Sequence, residues 1–129
     1  MIVRYLLEDD YETWNHFVEQ SPQGFIWDYS WWLEIVTDGD YKICALFDDD
    51  NLIVAGISLP FFSTGTIRQP LLTQSLGMLY EDMSKRNNMR LQKQLTNQKE
   101  YSNQIIDFIL NDFKRFSICF NYNYDYWLP

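Results

Sequence analysis

Residues 41–62 read YKICALFDDDNLIVAGISLPFF, two apolar runs separated by an acidic turn. The first run, Tyr41–Phe47, predicts a strand, and the Asp-Asp-Asp-Asn sequence after it has the hydrogen-bonding side chains of a tight turn. The second run, 52–62, is almost continuously apolar, which is typical of a strand buried on both faces. Residues 67–75 predict a third strand, interrupted at Pro70. We therefore expect an antiparallel meander of three strands.

Helices and two further strands are predicted on either side of this meander. A short strand at 2–7 precedes two helices, whose apolar residues recur at three- and four-residue spacing. These residues are Tyr11, Trp14, Phe17 and Val18 in the first helix and Tyr29, Trp32, Leu33 and Val36 in the second. An amphipathic helix is predicted to begin at Tyr101, and the alternation of aromatic and small polar residues at 116–124 predicts the last strand.

The chain is therefore predicted to be one α/β (α+β) domain over residues 1–129, with a mixed, mostly antiparallel sheet flanked by helices. Its predicted order is β-α-α-β-β-β-α-β. The composition changes at residues 81–100, which contain few core-forming side chains. They predict a polar helix or a mobile connection.

The charge balance bears on partners. The chain has 18 acidic and 10 basic residues and a formal charge of −8. A protein that neutralises phosphates needs a basic face, and the only candidate, 85–99, is also rich in Gln and Asn. We expect no unaided nucleic-acid binding. No run approaches the roughly 18 apolar residues of a membrane helix, and no signal peptide is visible, so we expect no membrane insertion and a cytoplasmic location.

Few residues are suited to catalysis or metal binding. Cys44 and Cys119 lie in apolar runs and predict two buried thiols, although the sequence also allows a disulfide. His16 is the only histidine, and we favour a packing role for it beside Trp14 and Phe17. One histidine and two separated cysteines predict no metal site. The acidic turn lacks the glycine and the distant glutamate of a calcium loop.

The predicted order is that of the acyltransferase superfamily with the N-acetyltransferase-like (GNAT) fold. The runs Gly24-Phe25-Ile26-Trp27 and Asp49 to Pro60, with Trp31 and Trp32 between them, resemble the N-terminal half of Fem-like aminoacyltransferases, which extend peptidoglycan cross-bridges. Residues 72–80 are similar to the fourth-strand region of such proteins. The resemblance covers residues 2–80 and implies acyl or aminoacyl transfer, in a cleft that two halves assemble.

The sequence departs from that pattern at the donor site. A GNAT domain that binds coenzyme A places a glycine-rich turn after its fourth strand, where backbone amides and a helix N-terminus hold the pyrophosphate. Here Gly77 is the last glycine of the chain, so we expect no bound cofactor. From the resemblance we expect substrate contacts from residues in or directly after the similar segments, with no catalytic residue assigned: Trp31, Gln74, Gly77, Tyr80 and Asp82.

Two functions remain open on these observations. The first is an acyltransferase-family domain that is half of an active unit or lacks a complete donor site. The second is a non-catalytic interaction or dimerisation module on the same fold. The aromatic segment 116–127 would meet the partner, a second copy or a second acyltransferase half, because an uncovered edge strand invites pairing. The sequence does not decide whether the chain is an enzyme.

Overall fold

A computed structural model describes residues 1–62, 66–68, 77–82, 91–112 and 115–117. In chain order, the elements are β1 (Ile2–Tyr5), α1 (Tyr11–Gln20), α2 (Ser30–Thr37), β2 (Tyr41–Phe47), β3 (Ile53–Phe62), β4 (Thr66–Arg68), β5 (Met78–Tyr80), α3 (Leu91–Ile109) and β6 (Arg115–Ser117). Short 3-10 turns, Glu8–Asp10 and Ile26–Asp28, precede α1 and α2. The predicted mixed α+β class is confirmed.

The strands form one sheet with the order β1-β2-β3-β4-β6, and β5 pairs with β3 beside this path. The pairings of β1 with β2, β2 with β3, β3 with β4 and β3 with β5 are antiparallel, whereas β4 and β6 are parallel. Sequential antiparallel neighbours are what the predicted meander requires. The parallel pair follows α3, as expected when a helix connects two strands of one sheet. This topology is consistent with the predicted GNAT-like fold.

The third strand of the meander was predicted as one segment at 67–75, and the structure divides it into β4 and β5. In the β3–β4 ladder Phe61 pairs with Ile67, so a regular continuation of this ladder would pair Ala55 with residue 73. Ala55 pairs instead with Tyr80, seven positions later. The chain therefore has seven more residues here than a regular hairpin would contain. A proline at position 70 has no backbone N–H to donate to a ladder, and residues 69–76 lie outside the described part of the chain.

The last helix begins earlier than its apolar pattern suggested. α3 is continuous from Leu91 to Ile109, so residues 91–100 of the polar segment are helical. Its buried stripe begins at a polar side chain, Gln98, and continues through Tyr101, Ser102, Ile105 and Ile109. None of the described helices combines the length and apolar character required to cross a membrane. Of the predicted strand 116–124, only the backbone of residues 116 and 117 is described.

Two core clusters lie on opposite faces of the sheet. On the face covered by α1 and α2, Trp14 is fully buried, and its indole Nε1–H donates to the Asp28 carbonyl at 2.9 Å. Gly56 of β3 lies under this ring, because a Cβ atom there would come within 2.3 Å of it. On the other face, Tyr101, Ile105 and Ile109 of α3 pack against β2, β3 and β5. The prediction that β3 is buried on both faces is therefore confirmed.

Candidate functional site

Tyr80, a predicted substrate contact, lies in the interior between β5 and α3. Its side chain is 1% exposed, and its hydroxyl lies 2.6 Å from Ser102 Oγ. Since Ser102 Oγ donates its one proton to the Gln98 carbonyl at 2.7 Å, Tyr80 is the donor of the first bond. Burial raises the pKa of the Tyr80 phenol above its usual range. This hydroxyl is therefore a neutral structural donor.

The backbone of Tyr80 is held as firmly as its side chain. Ser21 Oγ donates to the Tyr80 carbonyl at 2.7 Å, and the Tyr80 N–H donates to Gln23 Oε1 at 3.2 Å. Both partners are buried and lie in the segment that follows α1. Gly77, another predicted contact, is buried directly before β5 with φ of 153°, a value that glycine adopts more readily than other residues. Tyr80 and Gly77 are therefore part of the buried structure around β5 and do not form an exposed surface.

Asp82 lies beyond β5 in a cavity of about 310 Å³, which we call the histidine cavity. Thr13, His16 and Phe17 of α1, Leu52 before β3, Glu81 and Asp82 contribute to its lining. The wall from α1 follows from helical spacing, because residues three and four apart share a face. Sequence reasoning found no partner for His16, and the structure places it at the same cavity as two carboxylates. The three- and four-residue spacing of Thr13, His16 and Phe17 indicated their shared helix face, but no sequence signal placed the two carboxylates beside it.

Trp31 lies at a different cavity of about 460 Å³, which we call the tryptophan cavity. Its lining includes Glu8 of the first 3-10 turn, Tyr11 of α1, Ser30, Trp31 and Glu34 of α2, and Tyr41 of β2. Ser30 is fixed by Asn15, whose Nδ2 donates to Ser30 Oγ and whose Oδ1 accepts the Ser30 N–H, both at 2.9 Å. Trp31 is 48% exposed and therefore accessible.

The five predicted contacts are thus not gathered in one place. The structure places Trp31 at one cavity and Asp82 at another, with Gly77 and Tyr80 in the interior. Gln74 lies outside the described residues. Sequence reasoning could not separate these positions, because all of them were inferred from similarity to whole segments rather than from contacts.

The described cysteine is not suited to nucleophilic chemistry. Cys44 in β2 is fully buried and free, as predicted, and Cys119 lies outside the described residues. Burial, with a smaller contribution from Asp112, raises the pKa of the Cys44 thiol to about 12. The thiolate is the reactive form of cysteine. Within the described ranges, no three His, Cys, Asp or Glu side chains are grouped so that they could hold a metal ion.

The chain shares its fold with the BH1408 protein from Bacillus halodurans. A mutant of that protein is 14% identical over 98% of this chain and 86% of the other, with a TM-score of 0.50. A tetramutant is 13% identical over 97% and 86%, with a TM-score of 0.51. At such identities the likeness concerns the fold alone, and the function of this chain has to be argued from its own residues.

A weaker likeness links the chain to an aminoglycoside antibiotic 6'-N-acetyltransferase, AAC(6')-Ig, from Acinetobacter haemolyticus. That enzyme is 10% identical over 98% of this chain and 85% of its own, with a TM-score of 0.44. A TM-score this low supports no argument about activity. No protein-family model matches the sequence, and no curated protein matches it either.

Proposed function

We propose that this chain is an acyltransferase-family domain with a GNAT-like fold, similar to the N-terminal half of Fem-like aminoacyltransferases, and that it is half of an active unit or lacks a complete donor site of its own. The observation that carries the proposal is the topology of the sheet. Antiparallel neighbours β1 to β3, and a further antiparallel strand split into β4 and β5, precede a helix and a strand parallel to β4. This is the order that the resemblance implies.

The incomplete donor site is supported by the sequence after β5 and by the packing of Tyr80. No glycine follows Gly77, and a cradle of backbone amides for a pyrophosphate group relies on glycine conformations. The side chain of Tyr80 fills the space between β5 and α3, where it is hydrogen-bonded to Ser102. Trp31 and Asp82, which line open cavities, remain the proposed substrate contacts. A second copy or a separate acyltransferase half would complete the unit.

The donor question is tested by thermal unfolding of the isolated chain with and without 1 mM acetyl-coenzyme A. A site with a Kd near 10 μM would stabilise the fold by about 2.7 kcal/mol at this concentration and raise Tm by several degrees. We expect no rise. An acetyltransferase that binds acetyl-coenzyme A is the positive control, and a reproducible rise for this chain would show that it has its own donor site.

A non-catalytic interaction module is the second candidate, and the surface of α2 favours it. Trp31 and Ile35 are one helical turn apart, and both are largely exposed, at 48% and 72%. Ile26, in the turn before this helix, is 49% exposed. Contiguous exposed apolar side chains mark contact surfaces in soluble proteins. This candidate requires the stripe formed by Ile26, Trp31 and Ile35 to contact a partner, whether or not any acyl group is transferred.

Sedimentation velocity of the wild-type chain and the Ile35→Glu variant tests whether α2 mediates homodimerisation. A homodimerisation module that uses α2 sediments as a concentration-dependent dimer, and the variant sediments as a monomer. Leu52→Glu is the matched control, since Leu52 is also exposed, at 59%, but precedes β3 and lines the histidine cavity. A wild-type monomer up to 100 μM would exclude homodimerisation through this stripe.

A further inference from the structure

We propose that the tryptophan cavity binds a small organic cation of the alkylammonium class. The proposal rests on the combination of aromatic rings and carboxylates around this cavity. Its volume of about 460 Å³ is within the usual range for small-molecule sites. The inference does not depend on the proposed transferase function, since it concerns binding alone.

The aromatic wall is fixed in position while one tryptophan remains exposed. The Trp31 ring stacks on Tyr29, with centroids 5.6 Å apart and planes at 22°, and it meets Trp32 edge-on at 82°. These two contacts restrain the indole, although Trp31 remains 48% exposed. A cation near the face of an indole is attracted by its ring quadrupole, and tryptophan is the strongest of the aromatic residues in this respect.

The carboxylates lie on the same cavity as the rings. Glu34 follows Trp31 by three residues on α2, so the two side chains share a helix face. Tyr41 packs against Tyr11, with ring centroids 5.8 Å apart. Burial, with smaller contributions from Tyr11 and Glu34, raises the pKa of the Tyr41 phenol above its usual range. Glu8 contributes the second carboxylate from the turn before α1. The lining therefore offers acceptors and negative charge.

Basic side chains near this cavity in sequence are engaged elsewhere. Arg4 Nη1 lies 2.8 Å from a carboxylate oxygen of Asp10, and Lys42 Nζ lies 4.7 Å from the centroid of the Tyr5 ring. Among the described residues that line the cavity there is no lysine or arginine. No described residue of the lining thus neutralises the charge of the two glutamates, and the chain as a whole carries a formal charge of −8.

An organic cation fits this lining better than a metal ion does. A structural or catalytic metal requires several oxygen, nitrogen or sulfur ligands that converge on one point. The described residues contain no group of three side chains of this kind. Aromatic faces with one or two carboxylates are instead the elements that recognise ammonium groups with alkyl substituents.

The test uses choline and its uncharged isostere 3,3-dimethyl-1-butanol, which has a tert-butyl group where choline has a trimethylammonium group. Binding of each compound to the full chain is measured by isothermal titration calorimetry and by the chemical shift of the Trp31 indole N–H. We expect choline to bind at least tenfold more tightly than the alcohol, since only choline gains from the carboxylates and from the ring quadrupole.

Two variants and one control assign the binding to this cavity. Glu34→Gln removes one charge and Trp31→Leu removes the aromatic face, and each is expected to weaken choline binding about tenfold. Both positions are exposed, so the fold should be retained, which circular dichroism verifies. The control Glu19→Gln removes the same charge from an exposed position of α1 outside the lining, and it should leave binding unchanged.

Each alternative result overturns the proposal. Equal affinity for choline and the alcohol would mean that the cavity does not select for charge. An equal loss in Glu34→Gln and Glu19→Gln would mean that only the overall charge attracts the cation. Absence of saturable choline binding up to 50 mM would mean that the cavity does not bind this class of ligand.

Discussion

The two faces of the sheet differ in the side chains that cover them and in how their buried polar atoms are satisfied. The face under α1 and α2 is rich in aromatic side chains. It also contains two buried polar atoms without a hydrogen-bond partner, Asp28 Oδ1 and Ser58 Oγ. Ser58 lies on this face because it follows Gly56 by two residues in β3. The face under α3 is mainly aliphatic, and its buried Tyr80 hydroxyl is satisfied. Both cavities that hold predicted contacts are also lined by α1. We infer that the α3 face mainly stabilises the fold and that a functional site is to be expected on the α1/α2 side.

The largest expected effect is that of Trp14→Ala on the α1/α2 face. Loss of a fully buried indole leaves a cavity and an unpaired Asp28 carbonyl, so the free energy of unfolding should fall by about 5 kcal/mol. Urea denaturation at 25 °C measures this loss. Trp31→Ala removes the same side chain from an exposed site and should change stability by less than about 1 kcal/mol. Similar losses in the two variants would contradict the assigned packing.

The second prediction concerns the buried carboxyl group of the same face. Burial raises the pKa of Asp28 from 3.8 to about 7, although the Phe25 N–H that donates to Oδ2 acts in the opposite direction. The folded state therefore retains the proton to a higher pH than the unfolded state does. The resulting stabilisation is complete below pH 3.8 and is lost as the pH rises through 7.

Asp28→Asn should abolish this dependence, since an amide does not titrate. We expect the wild-type free energy of unfolding to fall by roughly 3 kcal/mol relative to the variant between pH 4 and pH 7. Urea titrations of both proteins at half-unit pH intervals measure the difference. The Arg4–Asp10 pair lowers the pKa of Asp10 and acts oppositely, but it is present in both proteins and cancels. Parallel pH profiles would show that Asp28 is ionised in the folded state.

The smallest effect is expected on the α3 face. Tyr80→Phe removes one buried hydrogen bond, but Ser102 Oγ keeps its bond to the Gln98 carbonyl. The loss should therefore be about 1 kcal/mol. Tyr5→Phe is the matched control, because the Tyr5 hydroxyl donates to Asp112, which is exposed, and its removal should have little effect. A loss above 3 kcal/mol for Tyr80→Phe would mean that this face depends on its polar network as well as on apolar packing.

Much of the fold was predictable, because apolar periodicity reports burial directly. The bounds of β2 and the two-sided burial of β3 follow from residues 41–62 alone. The split into β4 and β5 did not follow, since a local pattern carries no information about which residues pair with Ala55 or Phe61. The sequence left the start of α3 open between a polar helix and a mobile connection, because its first buried side chain, Gln98, is polar. A buried polar residue is recognised only from its partners.

The candidate sites were less predictable than the fold for the same reason. Tyr80 was inferred from the similarity of residues 72–80 to a fourth-strand region, yet its hydroxyl is directed to Ser102, 22 positions later in the chain. His16 and Asp82 meet at one cavity only because α1 and the end of β5 are adjacent in space. Trp31 was identified by similarity to a segment, whereas its neighbour at the cavity, Glu8, lies before α1 and gave no signal.

The short strand β5 has a consequence for how the molecule opens. Its three residues divide between the two cores, since Leu79 belongs to the cluster under α1 and α2, and Met78 and Tyr80 belong to the cluster under α3. Detachment of this strand would loosen both clusters together. Amide hydrogens in α1 and in α3 should therefore exchange with solvent in a single cooperative event, so that two visibly different layers behave as one unit.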